Sequence, residues 1–366
     1  MPPLCVMVKP ASSMCNMRCA YCFYADVAQS RSVQSFGAMR RETLETLVRR
    51  AFAYAEGYVQ FVFQGGEPTL LGADFFRDAV ALQKKYNARN LPVTNAVQTN
   101  GYALTDEIIS CFAENGFLVG VSLDGDRDVH DLYRKDAQGR GTFDRVTENI
   151  DRLLRAGCDV NILSVVHEGN ARRARETFLA LSKYKYLQFI PCLDALSGEK
   201  GTYSLSASSY AGFLGETFSL YYEAWKGGDY VSVRAFDNWV GMLMGRPPES
   251  CGMTGKCGAY FLIEGDGSVY PCDFYVLDRW RMGNINDASF AKLAKSPVQA
   301  EFIAQSLPAP DACRACEWVH LCRNGCKRER GETDINRFCE AYREFFPNAI
   351  DRMREMARKA AQNQTT

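Results

Sequence analysis

Three histidines in 366 residues leave little imidazole for metal ligation or acid–base work. An excess of charge of one sign is absent too, with 43 Lys plus Arg balancing 43 Asp plus Glu. No block of Lys or Arg is long enough to track a phosphate backbone, so no nucleic-acid partner is expected. Long hydrophobic runs are missing: stretches such as Phe117–Val121 fall far short of a membrane span, and the amino-terminal residues show no basic segment leading into an apolar one. The expectation is a soluble, cytoplasmic chain without a membrane partner. Its length suits one large α/β domain with an appendage, or two domains.

Cysteine is abundant: there are 15. An odd number falling mostly into two sets with short internal spacings is a poor disulfide framework for a chain of this size. The first set is Cys15, Cys19 and Cys22, spaced C-x3-C-x2-C; the second is Cys251, Cys257, Cys272, Cys313, Cys316, Cys322, Cys326 and Cys339. Iron–sulfur clusters normally take four thiolates, so the second set can hold two complete clusters. The first can hold a cubane with one iron left open to a ligand. Structural zinc competes for the second set on spacing alone, but His130 and His167 lie far from both sets, and His320 lacks metal-ligand spacing within the second. Cys5, Cys111, Cys158 and Cys192 read as buried structural thiols.

Along the chain, short β-rich runs alternate with amphipathic stretches. Strands are expected at Leu4–Val8, Val59–Phe63, Thr94–Gln98, Val119–Leu123, Val160–Val166 and Tyr186–Ile190. Helices are expected at about Glu42–Ala55, Ala73–Tyr86, Thr105–Asn115, Phe143–Ala156 and Ala171–Lys183. Such βα repeats argue for parallel β-structure with right-handed crossovers, as a barrel or an open sheet. Ser12–Cys22, Gln64–Pro68, Gln98–Gly101 and Ser122–Gly125 all follow strands, at the carboxyl edge where ligands bind in such folds. A Gly/Ser-rich connection, Ser197–Ser208, leads to a helix at about Ser209–Lys226 and a strand at Tyr230–Ala235. A hairpin follows with its turn at Asp266-Gly267, and a final helix runs from Cys339 to about Ala361.

The triplet Cys15-x3-Cys19-x2-Cys22, with Tyr21 before its last member, together with Gly65-Gly66-Glu67-Pro68, resembles the radical S-adenosylmethionine superfamily. The pattern Cys257-x9-Gly267-x4-Cys272 followed by Cys313, Cys316, Cys322, Cys326 and Cys339 resembles the SPASM extension, which carries two auxiliary [4Fe–4S] clusters. Pro2-Pro3-Leu4, Lys9–Ser13, Phe63–Thr69, Gln98–Gly101, Arg134-Lys135-Asp136 and Tyr270–Tyr275 look like the anaerobic sulfatase-maturating enzymes.

That resemblance implies a partial (βα)6 barrel over residues 1–235 and a SPASM domain with a C-terminal helix over 236–366. It implies three [4Fe–4S] clusters and S-adenosylmethionine as cofactors. The first cluster would sit on Cys15, Cys19 and Cys22, the nearer auxiliary one on Cys251, Cys257, Cys272 and Cys326, and the farther one on Cys313, Cys316, Cys322 and Cys339. Tyr21, Gly65, Gly66, Glu67, Ser122, Arg134 and Leu193 would meet S-adenosylmethionine, Asp273 would accept the substrate proton, and Tyr24 and Gln64 would position the substrate. The implied reaction oxidises a Cys or Ser of a client sulfatase, in a Cys/Ser-x-Pro/Ala-x-Arg type segment, to Cα-formylglycine. The implied electron donor is a flavodoxin or ferredoxin. Two other readings stay open: a SPASM maturase crosslinking a ribosomal peptide, and a noncatalytic iron–sulfur electron carrier. The first of these often carries an added amino-terminal recognition domain, for which a first strand at residue 4 is expected to leave no room.

Overall fold

The computed structural model describes residues 3–307, 309–331 and 333–362. Pro2 of the amino-terminal motif, and the extreme ends of the two expected domains, lie outside the described residues.

Six strands appear where hydrophobic patterning placed them: β1 (Leu4–Val8), β2 (Val59–Phe63), β3 (Val93–Thr99), β4 (Leu118–Ser122), β5 (Asp159–Val166) and β6 (Tyr186–Pro191). They pair in sequence order, all parallel. Helices such as Arg41–Tyr54, Gly72–Tyr86, Asp106–Glu114 and Phe143–Arg155 form the crossovers. Alternate residues of β1 and β2, namely Leu4, Val6, Val8, Val59, Phe61 and Phe63, are fully or almost fully buried, in one core with Leu44, Leu47, Val48 and Phe76 of the crossover helices. The intervening positions, Cys5, Met7, Gln60 and Val62, are only half-buried, which leaves the opposite face as a concave interior. This is the α/β partial barrel expected from the sequence.

Two departures from expectation occur. The run expected as one strand over Tyr230–Ala235 pairs only at β7 (Ser232–Val233), beside β6, and a helix, Arg234–Leu243, starts at once. Phe236, Trp239 and Val240 of that helix are buried, so helical spacing of apolar side chains prevails over local β-propensity. The expected helix Ala171–Lys183 is likewise broken into Glu168–Ala171 and Ala174–Ser182. The side chain of His167 caps the first piece by accepting from the N–H groups of Gly169 and Asn170.

The second cysteine region joins the same sheet. The hairpin β8 (Phe261–Ile263) and β9 (Ser268–Tyr270), followed by β10 (Gly283–Asn284), extends it on the far side of β1. The strand order is therefore β10-β9-β8-β1-β2-β3-β4-β5-β6-β7, with β8 parallel to β1. The last helix, Cys339–Gln362, packs Phe345 and Phe346 against Phe218, Phe236 and Trp239. Residues near both ends of the barrel half thus share cores with the C-terminal part. Arg328 and Arg337, close in sequence to Cys326 and Cys339, reach Asp194 and Cys192 in the segment after β6.

Candidate active site

Loops after four adjacent strands build the site. The cysteine loop after β1 is held to the Gly-Gly-Glu-Pro loop after β2 by the Glu67 N–H, which donates to the Met14 carbonyl at 2.8 Å. Gly66 has φ +53°, and a Cβ there would stand 2.2 Å from the Met14 carbonyl oxygen, so the two loops approach closely only because the position is glycine. At Gly65, φ +98°, a Cβ would stand 2.6 Å from the Lys9 side chain. Glu67 itself is fully buried, and its carboxylate accepts from the Thr69 N–H and hydroxyl, the Thr99 hydroxyl and the Asn100 N–H. Its side chain thereby ties the β2 loop to the end of β3. The expected cofactor contact at Glu67 falls on a carboxylate already committed to protein donors.

Cys15, Cys19 and Cys22 are electrostatic neighbours, and the Asn100 amide lies 3.6 Å from the Cys15 sulfur. Burial pushes the Cys15 thiol up to about 11 and that of Cys19 to about 12. Such thiols become thiolates most readily when a cation binds them. The eight remaining set members divide in space. Cys251, Cys257, Cys272 and Cys326 interact with one another, as do Cys313, Cys316, Cys322 and Cys339. Among the described residues, no three His, Cys, Asp or Glu side chains converge tightly enough to hold a single ion. Four thiols in each group match the donor set of a closed four-iron cluster.

Beside the first triplet, Tyr21, Asp124 and Arg134 form a buried cluster. The Tyr21 hydroxyl donates to Asp124, and the Arg134 guanidinium pairs with the same carboxylate at 2.9 Å and lies 4.0 Å from the Cys19 sulfur. Burial works against the Asp124 charge, yet the Arg134 guanidinium and the Tyr21 hydrogen bond help hold its pKa below the usual carboxylate value. Ser122, the last residue of β4, accepts from the Gln98 amide at 3.1 Å, and Leu193 follows β6. Tyr21 also stacks on His167, which follows β5, the strand between β4 and β6. Ser122, Arg134, Tyr21 and the cysteine triplet therefore share the carboxyl edge with the Gly65-Gly66 loop.

Asp273 lies in the short turn after β9, which runs antiparallel to β8 and β1, and its side chain meets those of Lys9 and Gln64, the residues that follow β1 and β2. Its carboxylate receives the Gln64 amide at 2.7 Å and faces the fully buried Lys9 ammonium at 2.5 Å. The second contact is ionic only. Neither Lys9 Nζ nor Asp273 Oδ1 has a directed hydrogen-bond partner among the described residues. Lys9 Nζ also stands 3.7 Å above the ring of Tyr24. The Tyr24 hydroxyl is committed to Glu264, which pairs with the buried Arg31 at 2.9 Å. The sequence reading named the segments Lys9–Ser13 and Ser122–Gly125 but assigned no role to Lys9, Asp124 or Glu264; the available signal was a charged residue at the end of an otherwise apolar strand.

A barrel edge lined by a cysteine triplet and backed by two further cysteine groups defines the radical S-adenosylmethionine class with an auxiliary iron–sulfur domain. In agreement, residues 10–181 match the radical SAM superfamily, and residues 251–317 match the SPASM family, described as an iron–sulfur cluster-binding domain. The chain is 43% identical to a cysteine-type anaerobic sulfatase-maturating enzyme of Clostridium novyi, over all of both chains. It is 31% identical to a serine-type anaerobic sulfatase-maturating enzyme of Bacteroides thetaiotaomicron, over 99% of this chain and 93% of that one. The solved structure of native anSMEcpe with bound AdoMet and Cp18Cys peptide superposes with TM-score 0.94 at 41% identity, covering 98% of this chain and all of that one. The chain belongs to the anaerobic sulfatase-maturating enzymes.

Proposed function

We propose that the protein converts a cysteine of a client sulfatase to Cα-formylglycine, acting on a Cys-x-Pro-x-Arg type segment. The observation that carries this reading is the meeting of Asp273 with Gln64 and Lys9, which puts a carboxylate from the auxiliary-cluster half at the mouth of the barrel. The cysteine preference is supported by the higher identity to the cysteine-type relative than to the serine-type one.

Cys15, Cys19 and Cys22 would hold the first cluster, leaving one iron for S-adenosylmethionine. The two other thiol groups would each ligate a closed auxiliary cluster. When bound, these groups supply a 5′-deoxyadenosyl radical that takes one hydrogen from the client β-carbon, and a sink for the second electron. The chain's own work is orientation and proton transfer. Tyr21, Gly65, Gly66, Ser122, Arg134 and Leu193 would line the cofactor, with Glu67 fixing the loop beneath it. Asp273 takes the thiol proton, so the client –CH2–SH loses a hydrogen atom, a proton and an electron to become –CH=S, and water then releases sulfide to leave the aldehyde. Gln64 and Lys9 hold the carboxylate, and the ring of Tyr24 backs Lys9.

Residues 1–235 would form the radical barrel and 236–366 the auxiliary domain, in a cytoplasmic enzyme reduced by a flavodoxin or ferredoxin. No described helix is long and apolar enough to cross a membrane. The test is anaerobic: clusters are reconstituted, then dithionite, S-adenosylmethionine and a Cys-x-Pro-x-Arg peptide are added. The expected result is loss of the thiol for an aldehyde, matched by 5′-deoxyadenosine. An untouched peptide beside accumulating 5′-deoxyadenosine would reject this client class.

A further inference from the structure

Lys327 immediately follows Cys326, yet its ammonium is not in free solvent. It stands 4.4 Å from the ring centre of Phe302, 4.9 Å from that of Trp280 and 5.3 Å from that of Tyr275, and it donates to the Gln305 amide oxygen at 2.9 Å. The cage is rigid: Trp280 and Phe302 are buried, and Phe302 packs edge-on against both Trp280 and Tyr275. Three aromatic faces around a cation usually mark a binding site for a foreign ammonium group. Here the chain's own lysine fills the cage, and its flexible stem is pinned beside one thiol group.

The pinned charge faces a defined place. Cys257 and Cys272, members of the same group as Cys326, are among the charges that act on Lys327, and the Arg328 N–H donates to the Cys326 sulfur at 3.4 Å. Arg279 and Glu301, which also act on Lys327, pair with each other at 2.9 Å and so offset one another. Glu329 and Asp273 bring negative charge to the same thiols, and the Lys327 ammonium opposes it. A cluster gains one negative charge on accepting an electron, and a fixed cation nearby favours that reduced form.

Building on the ligand assignment proposed above, we infer that Lys327 is a positioning residue for charge, raising the reduction potential of the auxiliary cluster held by Cys251, Cys257, Cys272 and Cys326. That cluster is thereby made the first acceptor of the electron leaving the substrate carbon. The cage exists to keep the ammonium at a constant distance from it.

The test is a redox titration of the reconstituted holoenzyme followed by electron paramagnetic resonance, on wild type and on Lys327→Arg, Lys327→Met and Lys327→Glu. The expected result is that one of three midpoint potentials falls in the Met variant, by about 59 mV if the reduced-to-oxidised ratio changes tenfold for one electron. It falls further in the Glu variant, stays in place in the Arg variant, and the other two potentials hold. Lys327→Gln, which keeps a polar end for Gln305, replaces Met if iron loading suffers. Unmoved potentials at full iron load would overturn the proposal, as would an Arg variant that shifts as far as Met, since cage filling rather than charge would then be at work. A wild-type protein with fewer than three potentials would overturn the ligand assignment and this proposal with it, whereas three potentials without a shift overturn the proposal alone.

Discussion

Lys9 and Asp273, the one at the end of β1 and the other after β9, face each other at 2.5 Å with the lysine wholly buried and the aspartate nearly so. A buried ammonium with a single anionic neighbour has no comparable alternative partner, so each ion fixes the other. Gln64 takes the second carboxylate oxygen from β2, and the Tyr24 ring closes the side of Lys9 away from it. The proposed base is therefore held from three elements.

Asp273→Asn keeps the shape and the Gln64 contact but cannot take a proton. Aldehyde formation is expected to fall by about 10²–10⁴-fold, the usual contribution of a positioned general base, while 5′-deoxyadenosine still forms. Lys9→Met, which keeps the bulk but frees the carboxylate to turn, is expected to lower aldehyde yield by about 10²-fold, the scale of a misplaced group. Both variants should release more 5′-deoxyadenosine than aldehyde. Matched yields in the Lys9 variant would remove it from the positioning role.

The Gly66 and Glu67 pair separates two ways of damaging one loop. Gly66→Ala drives a methyl group into the Met14 carbonyl, so the cysteine loop must move, and reduced iron content together with weaker S-adenosylmethionine binding is expected. Glu67→Gln keeps the size but turns charge-assisted acceptors into weaker ones and faces some donors with an NH2 group. A stability loss of about 1.5–3 kcal/mol is expected from each charged hydrogen bond lost. Thermal melting would register it even with iron content intact, whereas an unchanged melting point would argue that Glu67 is not the tie between β2 and β3.

The six parallel strands were legible because most are short apolar runs, those of β2, β3 and β4 closed within a few residues by Gly, Asn or Asp, and local pattern decides such elements. The cysteine sets were legible as ligands for the same reason. Their division into two groups came only from the family resemblance, since Cys326 joins Cys251, Cys257 and Cys272 across long separations that spacing does not encode. No local pattern marks Arg31 and Glu264 as a buried pair; the docking of β8 on β1 brings them together. The helix at Arg234 was hidden by a β-branched run whose fate depends on Phe218 and Phe345, far away in sequence. Tertiary burial outweighs local preference there.

His130 gives a pH prediction. Burial lowers its pKa from the usual 6.5 to about 3, because the folded protein favours the neutral ring. The Asp124 N–H points at Nδ1 from 3.4 Å, and Nε2 is 3.0 Å from the Thr142 hydroxyl. Protonation would turn the Nδ1 acceptor into a donor facing another donor. The expected outcome is a His130 resonance that stays at neutral-imidazole shifts between pH 8 and about pH 5. Titration in that window would show that water reaches the ring.

The two auxiliary thiol groups make a prediction that iron counting can decide. If each group holds one four-iron cluster, the reconstituted protein carries about twelve irons per chain with the first triplet loaded. Cys326→Ala and Cys316→Ala belong to different groups, so each should lose roughly four irons and a different paramagnetic signal. Cys257→Ala should reproduce the first spectrum and Cys339→Ala the second, because members of one group share a cluster. A Cys257 variant that matched Cys316 instead would break the spatial partition. Loss of about one metal ion per variant, with no iron, would favour tetrahedral zinc at both sites.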